Sequence, residues 1–166
     1  MKILITGRPG SGKTTVIREL QKRGFTAYNT DDYDDVTKLQ DQKSGVQVPW
    51  PDGPVDWKRY TWNWQAGGIE KLLNSSETVF LGGIVGNQKE FYPKFDKIFA
   101  LTLSTETLAK RLDSHAHKRT QEEKDKALAV HEMKQHRFKE DGLIELACED
   151  SVETVVNNLL KQLRLL

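Results

Sequence analysis

The stretch Gly7-Arg8-Pro9-Gly10-Ser11-Gly12-Lys13-Thr14, continued by Thr15, constrains this chain more than any other. It fits the pattern G-x-x-x-x-G-K-[ST]. The apolar run Ile3-Leu4-Ile5 before it reads as a buried strand, and Val16-Ile17-Arg18-Glu19-Leu20 after it reads as a helix. A glycine turn between strand and helix aims successive backbone N–H groups at one spot, and the helix end adds partial positive charge. That arrangement binds a polyphosphate. Lys13 would reach the β- and γ-phosphates, and the Thr14 hydroxyl would sit on a Mg²⁺ ion. Gly10 and Gly12 avoid a Cβ clash where backbone must approach phosphate. ATP and Mg²⁺ are therefore the expected ligands. A chance match in an ordinary glycine turn is the alternative, and the flanking strand and helix argue against it.

Taken in order, Met1 to Thr6 forms the first strand, and the helix after the phosphate loop runs to about Arg23, closed by Gly24. Phe25 to Tyr28 reads as a second strand, ending in Asn29-Thr30-Asp31-Asp32. Strand, helix, strand in this spacing is a βαβ unit, which predicts a parallel sheet. Residues 33–76 hold Pro49, Pro51, Pro54 and the tryptophans Trp50, Trp57, Trp62 and Trp64. They read as a long insertion, with a helix from about Asp56 to Asn74. Long loops at the carboxyl edge of a parallel sheet tend to carry function. Thr78 to Leu81 and Lys97 to Leu103 are further strands, with a short helix near Phe91 between them and a helix from Thr105 to about Ser114 after the second. The polar segment 115–141 reads as a solvated, mobile helix, opened by a capping box of Thr120 and Glu123. Leu143 to Ala147 is the fifth strand. Val152, Val155, Val156, Leu159, Leu160 and Leu163 then follow the helical period, with Asp150 and Glu153 as the cap.

Beyond the loop, three features bear on chemistry. Asp31 and Asp32 stand where the second strand ends, beside the phosphate loop in such a topology. A carboxylate there can take a proton from an acceptor hydroxyl or hold Mg²⁺; a solvated turn or helix cap is the plainer explanation. Gly82-Gly83 after the third strand lets a substrate approach the backbone, or makes a simple tight turn. Asn87 beyond it can bond substrate or brace the loop. Arg111, Lys118 and Arg119 flank the polar segment, where guanidinium groups on a closing lid would neutralise a transferring phosphoryl. Arginines on a helix are also ordinary surface charge. Trp57, Arg59 and Trp62 either build an acceptor pocket or form a small local core. His115 and His117 lack an evident third metal ligand. Cys148 belongs near an adenine-binding turn or in the core.

These pieces resemble the small P-loop kinases of the adenylate, shikimate and gluconate kinase group. The matching segments are Gly7 to Thr15, Asn29-Thr30-Asp31, Gly82-Gly83, Leu108-x-x-Arg111-Leu112 and Ala147-Cys148-Glu149-Asp150. The run Gly83 to Gln88, then Phe91-Tyr92-Pro93-Lys94-Phe95-Asp96, is closest to uncharacterised bacterial AAA-18-type ATP-binding proteins. The resemblance implies an α/β, three-layer P-loop NTPase fold. Its five-stranded parallel sheet runs in the order 2-3-1-4-5, with helices on both faces and a mobile lid at about 114–138. It implies ATP and Mg²⁺, with the phosphate loop, Arg111 and the turn at Asp150 around the nucleotide. Asp31 takes the place of the acceptor-contacting aspartate, and Arg111 that of the first lid-base arginine. Three departures stand out. Position 115 is histidine where many relatives carry a second arginine, so Arg119 is the candidate substitute. Residue 29 is Asn where some relatives carry Asp. The arginine pattern that grasps shikimate is absent after the second strand.

The remaining bounds agree. A chain of 166 residues suits one domain, and 37% hydrophobic with 30% charged residues describes a globular protein. A single cysteine excludes an internal disulfide, no run approaches the roughly 20 apolar residues that span a bilayer, and no leader is evident; a cytoplasmic protein is expected. The net charge of +1 argues against a nucleic-acid acceptor, which needs a basic groove. The expected function is ATP-dependent phosphotransfer to a small hydroxyl or phosphate acceptor. A nucleotide-binding regulatory module with weak ATPase activity is the alternative.

Overall fold

The structure is a computed structural model and describes residues 1–114 and 120–166, with only the backbone of Ser114 and Glu123. Strand β1 (Lys2–Gly7) leads through the glycine turn into helix α1 (Lys13–Lys22) and strand β2 (Ala27–Asn29). Strands β3 (Thr37–Asp41) and β4 (Tyr60–Trp64), helix α2 (Ala66–Leu73) and strand β5 (Val79–Gly82) follow. The remainder is β6 (Lys97–Thr102), α3 (Thr105–Ser114), α4 (Gln121–Ala129), α5 (His131–Glu140), β7 (Ile144–Ala147) and α6 (Val152–Leu163). Among the described residues, no helix is long and apolar enough to cross a membrane.

The main sheet has the order β2-β5-β1-β6-β7 and all its pairings are parallel. Counting only its own strands, this is the expected 2-3-1-4-5. β1 is central, so both its faces must be apolar, and Ile3, Leu4 and Ile5 are fully buried. Ile3 and Ile5 face α1 and α6 through Val16, Ile17, Leu20, Val156 and Leu159. Leu4 faces the opposite layer, where Ile69, Leu72 and Leu73 of α2 pack with Trp64 and Phe91.

The insertion differs from expectation. Instead of a helix from residue 56, Tyr60 to Trp64 is a strand paired antiparallel with Thr37 to Asp41, and the helix begins at Ala66. The physical reason is alternation: aromatic residues at 60, 62 and 64 are interleaved with Thr61 and Asn63, a period-two pattern that suits a pleated ribbon. α2 then docks closely. A Cβ on Gly68 would lie 2.3 Å from the Asp35 carbonyl oxygen and 2.7 Å from Val36 Cα. Backbone cannot yield as a side chain can, so Gly68→Ala is expected to cost about 1–3 kcal/mol. In thermal unfolding this should lower Tm by about 5 °C.

Two other elements differ in detail. Over its described residues, 120–141, the polar segment is two helices meeting at Val130, and the second is fastened to the sheet. Phe138 packs with Ala100 and Leu143, and His131 Nε2 lies 2.8 Å from the Leu103 carbonyl. Gln135 holds both the N–H and the C=O of Leu103. α4 opens with a bond from the Lys124 N–H to the Thr120 carbonyl, while the Glu123 side chain lies outside the described atoms. The last helix is capped by Ser151, whose Oγ accepts from the Thr154 N–H at 3.2 Å. Asp150, expected at that cap, stands one residue earlier and lines the cleft beside the phosphate loop.

Candidate active site

The phosphate loop joins β1, buried in the sheet, to the first turn of α1. Gly10 (φ 87°) and Gly12 (φ 99°) take left-handed conformations that fold the loop into a cup. α1 has no acidic residue in its first turn, so nothing of its own opposes an anion there. The Ser11 hydroxyl is buried without a hydrogen-bond partner, wedged where a Cβ on Gly7 would lie 2.6 Å from it. A buried hydroxyl left unpaired inside a cup of amides fits a phosphate oxygen as its partner. Lys13 folds over the loop, its Nζ donating to the carbonyls of Gly7 (2.8 Å) and Arg8 (3.3 Å). Burial pushes its pKa down to about 8, the Asp31 carboxylate works against that fall, and Arg8 adds to it. Thr14 and Thr15 are exposed on the same turn.

Beside the loop a cleft of about 360 Å³ opens between Gly10–Val16 and the turn after β7. Cys148, Val152 and Val155 give it an apolar wall, with Asp150 at its edge. The Cys148 thiol, pushed up to about 11 by burial, is inert packing. Arg111 ties the two walls together. Its Nη1 donates to the Ser11 carbonyl at 3.0 Å, and its Nη2 donates to the Cys148 carbonyl. Glu149 anchors the turn from outside by accepting bonds from Ser104 and Thr107 at the start of α3.

At the end of β2 the two aspartates separate. Asp32 accepts from the buried Asn29 amide at 2.9 Å. Asp31 accepts from Trp62 Nε1 at 2.9 Å and is the carboxylate whose field reaches Lys13. The β3–β4 ribbon thus holds Asp31 beside the phosphate loop.

The family model for an AAA domain, AAA_18, matches residues 3–135. This chain belongs to the AAA_18 family. Solved structures similar to it include shikimate kinase from Bacteroides thetaiotaomicron (16% identity, 99% of this chain and 98% of that one, TM-score 0.63). Deoxyadenosine kinase from M. mycoides, solved with bound dATP, is 15% identical over 99% and 100% of the two chains, TM-score 0.57. Shikimate kinase from Aquifex aeolicus is 18% identical over 99% and 96%, TM-score 0.56. At these identities the likeness shows the P-loop kinase fold. No curated protein matches the chain.

The other expected residues of this AAA_18 member are placed as follows. A Cβ on Gly82 would meet Ile17 Cγ1 at 2.5 Å, and one on Gly83 would meet Thr30 Oγ1 at 2.4 Å and Trp64 Cζ2 at 3.0 Å. Self-packing alone accounts for both glycines. Both ends of the Asn87 amide are engaged by the Trp64 backbone, at 2.9 and 3.0 Å, so Asn87 braces the ribbon. Trp57 is 56% exposed and packs edge-on against Trp50, which in turn packs against Trp62. Arg59 pairs with Asp41 at 3.1 Å and lies over the Tyr60 ring. Arg119, with His115, His117 and Lys118, lies outside the described residues. Among the described residues no three His, Cys, Asp or Glu side chains gather as a metal cluster. Two features escaped the sequence reading. One is the Trp62–Asp31 hydrogen bond, for which the sequence carries no signal. The other is Gln88, buried between Thr6 and Tyr92 and hydrogen-bonded to both at 3.1 Å, behind the phosphate loop.

Proposed function

We propose that this protein is an ATP-dependent phosphotransferase acting on a small-molecule acceptor. The observation that carries the reading is Asp31, a carboxylate fixed by Trp62 within the electrostatic reach of the phosphate-loop lysine. A nucleotide-holding module has no need of a carboxylate positioned there; a transferase does. The nucleoside lies in the cleft between α1 and the 148–155 turn, and its phosphates lie on the loop amides. Lys13 leaves its loop carbonyls for the phosphate oxygens, and Arg111, with Arg119, adds charge as the phosphoryl transfers. Asp31 orients the acceptor hydroxyl and takes its proton as oxygen bonds to the γ-phosphorus and the bond to the ADP oxygen breaks. Thr14 and Asp31 offer one hydroxyl and one carboxylate, a donor set suited to Mg²⁺, which keeps phosphate oxygens and waters in its shell. A bound magnesium ion would supply charge neutralisation across the β- and γ-phosphates.

Acceptor-dependent ADP release tests this reading. Across a panel of sugars, nucleosides, hydroxy acids and their phosphates, one class should raise ADP release at least about tenfold over the water background. A uniform slow rate with every compound would make the protein a weak ATPase module instead. The pH dependence of binding follows from Lys13. Its free-state pKa is depressed to about 8, so the ammonium is present below that pH and lost above it. The Kd for Mg-ATP should be flat below pH 8 and rise by up to about tenfold per pH unit above it. Titration with a fluorescent ATP analogue from pH 6.5 to 9.5 checks this, with Lys13→Met as the flat control.

A further inference from the structure

A second cavity, about 560 Å³, lies on the other side of the phosphate loop, between the 84–90 loop and α5. It shares no lining residue with the nucleotide cleft. Four cations line it, Arg8 from the phosphate loop, Lys89 from the 84–90 loop, and Lys134 and Arg137 from α5, against two carboxylates, Glu90 and Asp141. Lys89 is matched by Asp141 at 2.6 Å, whereas Arg8, Lys134 and Arg137 make no ion pair among the described residues, which leaves three cations against Glu90. The ammonium of Lys134 is destabilised first by Arg8, then by burial, then by Arg137, with no carboxylate offsetting them. Like charges crowded at a partly desolvated cavity cost free energy unless an anion joins them. Arg8 also acts on Lys13, as Asp31 does, so the cations begin where the phosphoryl group would transfer. The volume suits a small metabolite.

We propose that the acceptor carries an anionic group, a phosphate or a carboxylate, and that Arg8, Lys134 and Arg137 hold that group in this cavity. This rests on the phosphotransferase reading, with the reacting hydroxyl turned toward Asp31 and Lys13 and the anionic end toward α5. The charge pattern favours it over the nucleotide's own phosphates, because Lys134 and Arg137 line this cavity with the 84–90 loop and do not line the nucleotide cleft.

The test is an amide NMR titration of the full chain saturated with Mg-AMP-PNP, so that the phosphate loop is filled. Inorganic phosphate and acetate are added separately at constant ionic strength. One or both should produce saturable shifts in residues 84–90 and 134–138, and the tighter of the two identifies the anionic group. The double variant Lys134→Gln/Arg137→Gln should weaken that anion about tenfold or more and leave AMP-PNP affinity within about twofold. Shifts that never saturate, or an unchanged affinity in the double variant, overturn the proposal. ADP release with paired hydroxyl compounds, with and without the anionic group, separates the two readings. Equal turnover of both partners overturns the anion site and leaves the phosphotransferase. Saturable, variant-sensitive anion binding with no acceptor-stimulated ADP release leaves the anion site and overturns the phosphotransferase.

Discussion

Lys13→Ala is expected to lower acceptor-dependent ADP release by about 10³-fold or more, the scale of losing one preorganised charge on a developing phosphoryl anion. The structure supplies the reason. Lys13 Nζ rests on the carbonyls of Gly7 and Arg8, within the field of Asp31, so its charge is already at the loop. Removing it frees two loop carbonyls but leaves the left-handed glycines and the buried Ser11 hydroxyl that shape the cup. ATP binding should weaken, while the far-ultraviolet circular dichroism and Tm stay close to the parent. Retention of parental turnover would remove Lys13 from the transfer step.

Asp31→Asn should reduce kcat by about 10²- to 10⁴-fold, the usual contribution of a positioned general base. Asparagine keeps an oxygen for the Trp62 N–H, so the ribbon contact survives and the charge and basicity do not. The carboxylate raises the pKa of Lys13, and its loss lets that pKa fall below about 8. The pH above which ATP binding weakens should therefore move down in this variant, and the two proteins are best compared at pH 7. Trp62→Phe supplies the contrast. It retains a ring but no donor, leaves Asp31 charged but unheld, and should cost about tenfold in kcat with the KM for ATP unchanged. Equal kcat values for Asp31→Asn and the parent would show that the carboxylate takes no part.

The elements most legible in the sequence were those whose signal is local. The run Ile3-Leu4-Ile5 is apolar because it is covered on both faces, and the glycine-lysine turn after it has a fixed geometry. The ribbon was legible in principle, through the alternation of aromatic and polar residues over 60–64, but the apolar residues of α2 immediately after it drew the reading toward one long helix. Asn87 could not be assigned from sequence, since its partner is the backbone of Trp64, twenty-three residues away. Arg8, Lys134 and Arg137 look like isolated charges on a loop and a polar helix. Only the docking of α5 through Phe138, His131 and Gln135 brings them to one cavity. The cap of α6 is Ser151, one residue after the expected Asp150, because Asp and Ser both suit an N-cap and adjacent candidates are not separated by residue type alone.

The central place of β1 has a consequence for synthesis. Its two neighbours, β5 and β6, are made much later, pairing Lys2 with Val79 and Ile3 with Lys97. The apolar residues of β1 therefore leave the ribosome without a strand partner until residue 82 has cleared the exit tunnel, and lack the second one until residue 102 has done so. Over that interval the nascent polypeptide presents a sticky end that chaperones are suited to shield, and a translational pause is tolerated better after β6 than before it.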